Sequence, residues 1–137
     1  MAHTVRGVQY FNVTVPDQPG RAHELLSQLA HSGVNLMALT AIPVGPDATQ
    51  MTLFPEDANV LKTAAERARL HLDGPHRALL VQGDDELGAL ASVLGRLADA
   101  DVNIYASYAV TDGKGHFGDI LYVRPEHYDR AAKELRV

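Results

Sequence analysis

The chain has no cysteine among its 137 residues. That absence rules out disulfides, thiolate nucleophiles and Cys-ligated zinc or iron–sulfur centres, and it fits a cytoplasmic protein. Long apolar runs are missing too. None approaches the roughly 18 residues of a membrane span, and the opening MAHTVRGVQYFNVTV lacks the apolar stretch of a secretory signal. Basic clusters are also lacking: twelve Lys and Arg are scattered through a chain of formal net charge −5, which argues against a nucleic-acid partner. The motifs of common catalytic sites do not occur. There is no G-x-S-x-G, no phosphate loop and no H-E-x-x-H. What remains is 46% hydrophobic and 21% charged, the balance of a soluble folded domain. A chain of this length is either one ordinary domain or two very small ones, and it buries roughly two thirds of its unfolded surface.

An internal duplication decides between these. DQPGRAHELLSQLAHSGVNL (Asp17–Leu36) aligns without a gap to DELGALASVLGRLADADVNI (Asp85–Ile104), an offset of 68 residues. Seven pairs are identical: Asp17/Asp85, Gly20/Gly88, Leu26/Leu94, Leu29/Leu97, Ala30/Ala98, Val34/Val102 and Asn35/Asn103. The likeness continues outward, to β-rich runs before each stretch, to TLF opposite ILY after it, and to Pro-Glu opening an Ala-rich segment at Pro55 and at Pro125. The units are residues 1–72 and 73–137.

Periodicity gives each unit the order β-α-β-β-α. Residues 8–15 form a β-rich run that stops at Pro16. Ala22, Leu25, Leu26 and Leu29 follow helical spacing, echoed by Leu90, Val93, Leu94 and Leu97. Gly33 ends the first helix, and a second strand runs from Val34 to Val44. GPDA and TDGKG mark the hairpin turns. Pro55 and Pro125 begin the second helices. A fourth strand is short or missing; Arg69–Leu72 is the candidate in the first unit. This predicts an α+β fold of two ferredoxin-like repeats side by side, each an antiparallel sheet with helices on one face. The faces and edges left bare suggest a homodimer.

The D-x-P-G turn at Asp17–Gly20, the G-V-N-L run at Gly33–Leu36 and the β-α-β-β-α order resemble the ACT domain family, ligand-sensing modules of amino-acid metabolism. The resemblance covers nearly the whole chain as two tandem copies. It implies a stand-alone regulatory protein, not an enzyme, with no cofactor, that binds a small molecule such as an amino acid between its repeats and acts on a separate metabolic enzyme or regulator. Position by position it implicates Asp17, Gln18, Gly20, Arg21 and Asn35, and Asp85, Glu86, Gly88 and Asn103. Repeat two departs from the pattern at Leu87 and Asp101, so the loop at Asp17–Arg21, facing Asn103, is expected to be the better site.

The chemistry of these residues suits a zwitterion. Free N–H groups at a helix start attract a carboxylate, a glycine lets it approach, an Asp balances an ammonium and an Asn amide serves either end. Each has a plainer reading as well: Asp17 and Asp85 as helix N-caps, the glycines and Asn residues as turn formers, Arg21 and Glu86 as solvated surface. His23 and His31 lie roughly 12 Å apart along a helix, too far to share a metal ion. His116 and Asp119 could be written as an acid–base pair, but they have no counterpart in repeat one and read as turn residues. A small ferredoxin-like enzyme acting as a dimer, or a ligand-free interaction module, are the competing classes.

Overall fold

A computed structural model describes residues 3–137. The chain divides into two compact units, Gln9–His76 and Arg77–Val137, the latter joined by the opening stretch through Val8. The first unit contains α1 (Arg21–His31), β2 (Leu36–Pro43), β3 (Ala48–Pro55) and α2 (Ala58–Ala68). The second contains α3 (Ala89–Asp99), β5 (Ile104–Thr111), β6 (His116–Val123) and α4 (Tyr128–Glu134), the last preceded by a 3-10 turn at Pro125–His127. Two longer strands, β1 (His3–Pro16) and β4 (Asp73–Asp84), run through the division and lend part of their length to each unit. The fold is α+β, with antiparallel pairing at every recorded register. Among the described residues no helix is long and apolar enough to cross a membrane.

In the first unit the strand order is β2-β3-β1. Phe11 pairs with Leu53 and Val13 with Met51, so these four side chains point to one face. Leu25 and Leu29 of α1 and Leu61 and Ala64 of α2 cover them, and all eight residues are buried in one cluster. In the second unit the order is β4-β6-β5. Leu79, Val81, Phe117 and Leu121 lie beneath Val93, Leu97, Ala131 and Leu135 in the same way. The duplicated sequence thus repeats its core residue for residue: Phe11 becomes Leu79, Val13 becomes Val81, Leu25 becomes Val93, Leu29 becomes Leu97. One exchange changes chemistry. Met51 is 1% exposed, and its counterpart Asp119 is also 1% exposed.

The fourth strand of each unit comes from the through-running strands. Arg69–Leu72 forms no strand. Arg69 closes α2 in the left-handed region (φ 56°), and the Leu70 N–H turns back to the Ala65 carbonyl. Leu70 and Leu72 then pack on the core instead of pairing. Extended structure starts at Asp73, where Gly74 passes so close to β1 that a Cβ there would sit 2.8 Å from the Tyr10 carbonyl oxygen. In the second unit the opening half of β1 takes this place, with Val5 on the core and Gly7 against Tyr128.

Leu29→Ala and Leu97→Ala each remove a fully buried side chain from equivalent positions. Each is expected to cost about 2–5 kcal/mol in urea unfolding, and Leu26→Ala, only partly buried, clearly less.

Candidate functional site

The β1-to-α1 and β4-to-α3 turns are built alike. The Asp17 N–H donates to the Asp47 carbonyl at 2.9 Å, and the Asp85 N–H to the Gly115 carbonyl at 2.8 Å. Gln18 turns back to Pro16 and Glu86 to Asp84, both at 2.9 Å. The N–H groups of Arg21 and Ala89 then reach the carbonyls of Gln18 and Glu86. Each loop is tied to the tip of its own β-hairpin, which fixes where the following helix starts.

Both helices start on a glycine. Gly20 (φ 85°) and Gly88 (φ 84°) are the N-caps, in the left-handed region that glycine adopts without steric cost, and neither helix has a side-chain cap. Asp17 and Asp85 therefore do not fill the capping role their sequence suggested. Both are exposed, three residues ahead of the cap. Beyond Arg21 and Ala89, whose N–H groups are taken by the turn, the next first-turn N–H groups receive no side-chain cap, and nothing lies within 4 Å of where a Cβ would stand on either glycine. By contrast, α2 is capped in the ordinary way: Asp57 accepts from the N–H groups of Asn59 at 2.9 Å and Val60 at 3.4 Å.

The two loops differ in their side chains. Arg21 Nε donates to Gln18 Oε1 at 3.1 Å, and its guanidinium lies 3.9 Å from Glu24. Ala89 and Glu86 at the equivalent positions cannot make that pair. Beside the second loop is a cavity of about 610 Å³ lined by His3, Gln82, Asp84 and His116 among others. Sequence reasoning missed it because His3 arrives from the far end of the chain through the opening of β1.

Asn35 and Asn103 are exposed and stand just before β2 and β5. The Asn35 carbonyl accepts the Glu56 N–H at 2.9 Å, next to the end of β3. The Asp17 loop belongs to the other end of β3, since Pro16 pairs with Ala48. Within one repeat the loop and the Asn are therefore separated by the length of β3, roughly 23 Å.

His116 and Asp119 do not meet as a pair. His116 Nδ1 lies 3.0 Å from Asp112 Oδ2, while Asp112 Oδ1 accepts the Lys114 and His116 N–H groups at 2.7 and 3.1 Å, locking the hairpin turn. These bonds, the Lys114 N–H first, hold the Asp112 carboxyl below its ordinary pKa. Asp119 accepts the Ser107 hydroxyl proton inside the second unit; burial pushes its pKa up and the Ser107 bond only partly offsets this. In repeat one the corresponding residues are Met51 and Leu39.

A polar relay on the first unit was not foreseen. Thr52 Oγ1 donates to Asn12 Oδ1 at 2.8 Å, Asn12 Nδ2 to Asp73 Oδ2 at 3.4 Å, and His76 Nε2 lies 3.1 Å from the same oxygen. The His76 bond, then the Asn12 bond, lowers the Asp73 pKa. Repeat two has Leu80 and Ile120 at the Asn12 and Thr52 positions. Among the described residues no three His, Asp or Glu lie close enough to hold a metal ion.

With this geometry in hand, comparisons with known proteins place the fold. No family model matches the chain, and no curated protein matches it in sequence. Solved structures do. Protein BT0572 from Bacteroides thetaiotaomicron is 19% identical with a TM-score of 0.82, over 96% of this chain and 88% of that one. The ligand-free regulatory subunit of aspartate kinase from Thermus thermophilus is 18% identical with a TM-score of 0.67, over 99% and 95%. E. coli aspartokinase III in complex with aspartate and ADP is 16% identical with a TM-score of 0.55, over 98% of this chain and 32% of that one. The fold is that of the ACT-domain regulatory proteins that the sequence resembles.

Two outcomes check the site's construction. Asp57→Ala should lower stability by about 1 kcal/mol in urea unfolding, whereas Asp17→Ala should leave it within about 0.5 kcal/mol, because only Asp57 caps a helix. For Asp119 the raised pKa means that its charged form opposes folding. Its contribution is fully present below the ordinary aspartate value of 3.8 and is lost as pH rises through the folded value. Asp119→Asn should therefore be more stable than wild type at neutral pH, with the gap shrinking as pH falls toward 3.8. A gap independent of pH would refute this account.

Proposed function

We propose that the chain is a non-enzymatic regulatory protein whose duplicated units, residues 1–72 and 73–137, bind an amino acid or similar metabolite at the interface between them. The observation that carries this reading is the pair of uncapped, glycine-started helix N-termini, reproduced hydrogen bond by hydrogen bond in both repeats. A structure that needed only to start a helix would gain by a side-chain cap, as α2 does with Asp57; open N–H groups on two exposed turns suit an incoming carboxylate.

In this reading Gly20 and Gly88 admit the ligand carboxylate to the helix N-termini. Asp17 and Asp85 meet its ammonium, and Gln18, Arg21 and Glu86 border the entrance. Asn35 and Asn103 complete the site contributed by the opposite repeat. Because the Gln18–Arg21 bond of the first loop has no equivalent in the second, we assign the first loop, with Asn103, the tighter site. Ligand binding shifts the population among arrangements of repeats or of chains, which a separate metabolic enzyme or regulator reads. We place the protein in the cytoplasm as a homodimer. That relatives in fold include a regulatory subunit of aspartate kinase and an aspartokinase holding aspartate supports the ligand class.

The test is a thermal-shift screen of the twenty amino acids. A ligand at a hundred times its Kd stabilises by about 2.7 kcal/mol, a rise of several degrees for a chain this size. The rise should shrink in Asn103→Ala and in Gly20→Val, and less in Asn35→Ala. Absence of any shift, or an equal shift in every variant, counts against the reading.

A further inference from the structure

The second unit carries an open groove of about 680 Å³ between α3 and α4. Its lining includes Arg96, Arg130, Lys133 and Arg136, with Glu134 the only acidic residue. Four cations in one groove are unexpected in a chain of net charge −5. Among the described residues none of the four takes part in an ion pair. Two are instead anchored by main-chain carbonyls. Arg96 donates an Nη2 proton to the Glu134 carbonyl at 2.5 Å, and Arg130 an Nη1 proton to the Asp101 carbonyl at 3.0 Å. Each guanidinium is thereby held in place with four of its five N–H donors unspent. Lys133 and Arg136 are exposed beside them.

Cations near helix C-termini can serve the helix dipole alone. The duplication supplies the control. Repeat one packs α1 on α2 in the same way, and the corresponding grooves are lined by Gln28, Ser32, Val60 and Thr63, with Arg67 as their cation. Gln28 stands where Arg96 does, Val60 where Arg130 does, Thr63 where Lys133 does, and Glu66 where Arg136 does. The helix pair forms without these charges, so packing does not require them.

We propose that this groove of repeat two binds an anion with adjacent phosphoryl groups, a diphosphate either free or carried on a nucleotide. Forked guanidiniums match phosphate oxygens in pairs, and cations spread along one groove exceed what a single carboxylate can engage. This site is separate from the Gly20 and Gly88 loops and does not depend on the function proposed for them.

Titration calorimetry of the whole chain with sodium pyrophosphate and with ADP, at fixed ionic strength and without divalent metal, tests it. Saturable binding is expected for at least one. Tighter binding of ADP would identify the nucleotide as the source, and equal or weaker binding the free diphosphate. Lys133→Gln/Arg136→Gln changes only exposed side chains and should weaken binding at least about tenfold with an unchanged circular dichroism spectrum. Arg67→Gln, in the repeat-one groove, should bind as wild type. No saturable binding of either anion, unchanged affinity in Lys133→Gln/Arg136→Gln, or loss of affinity in Arg67→Gln overturns the proposal.

Discussion

Everything in this molecule depends on covering one face of a small antiparallel sheet with two helices. Phe11, Val13, Met51 and Leu53 leave the sheet on one side because pairing places alternate side chains together, and Leu25, Leu29 and Leu61 close over them. So small a layer has few residues to spend, and each fully buried side chain matters in proportion. The demand also places the turn before α1. For α1 to lie across the sheet it must start directly after β1, and the chain reverses there through Gly20 with the loop tied to the hairpin at Asp47.

Duplication lets one scaffold be read twice, with the common positions marking what the fold requires and the divergent ones what it tolerates. The helix–sheet core is common. The exchange of Met51 and Leu39 for Asp119 and Ser107 shows that a carboxyl can enter that layer when a hydroxyl satisfies it, at the expense of a raised pKa. Outside the core the repeats part more freely. The first bears the Thr52–Asn12–Asp73–His76 relay, and the second has the basic groove between its helices.

Much of this was legible in the residues. Helical spacing of Leu25, Leu26 and Leu29, bounded by Gly20 and Gly33, located α1 at Arg21–His31. The Ala-rich run located α2 and Asp-Gly the second hairpin, but Pro55, read as the helix start, closes β3 instead, and α2 begins at Ala58 behind the Asp57 cap. The strands were less legible. β1 starts at His3, although HTVRG shows no apolar alternation, because those residues have β4 to pair with. Arg69–Leu72 is only a candidate strand by its position, and it forms none because Leu70 and Leu72 pack against the core. At the two turns the sequence left Asp17 and Asp85 open between N-cap and ligand contact, and the backbone places both outside the helix, with Gly20 and Gly88 at the cap.

By itself the sequence determined the duplication, the order of elements in each copy and the face each helix buries, because these follow from period and from Gly and Pro punctuation within about thirty residues. Only the tertiary structure decided which distant segments serve each unit. The opening of β1 completes the second unit and the opening of β4 the first, through backbone pairing that depends little on side-chain identity and therefore leaves little mark in the side-chain pattern. The same holds for the groove of Arg96 and Arg130. Scattered along the chain they read as isolated surface charges, and only the packing of α3 on α4 gathers them into one place.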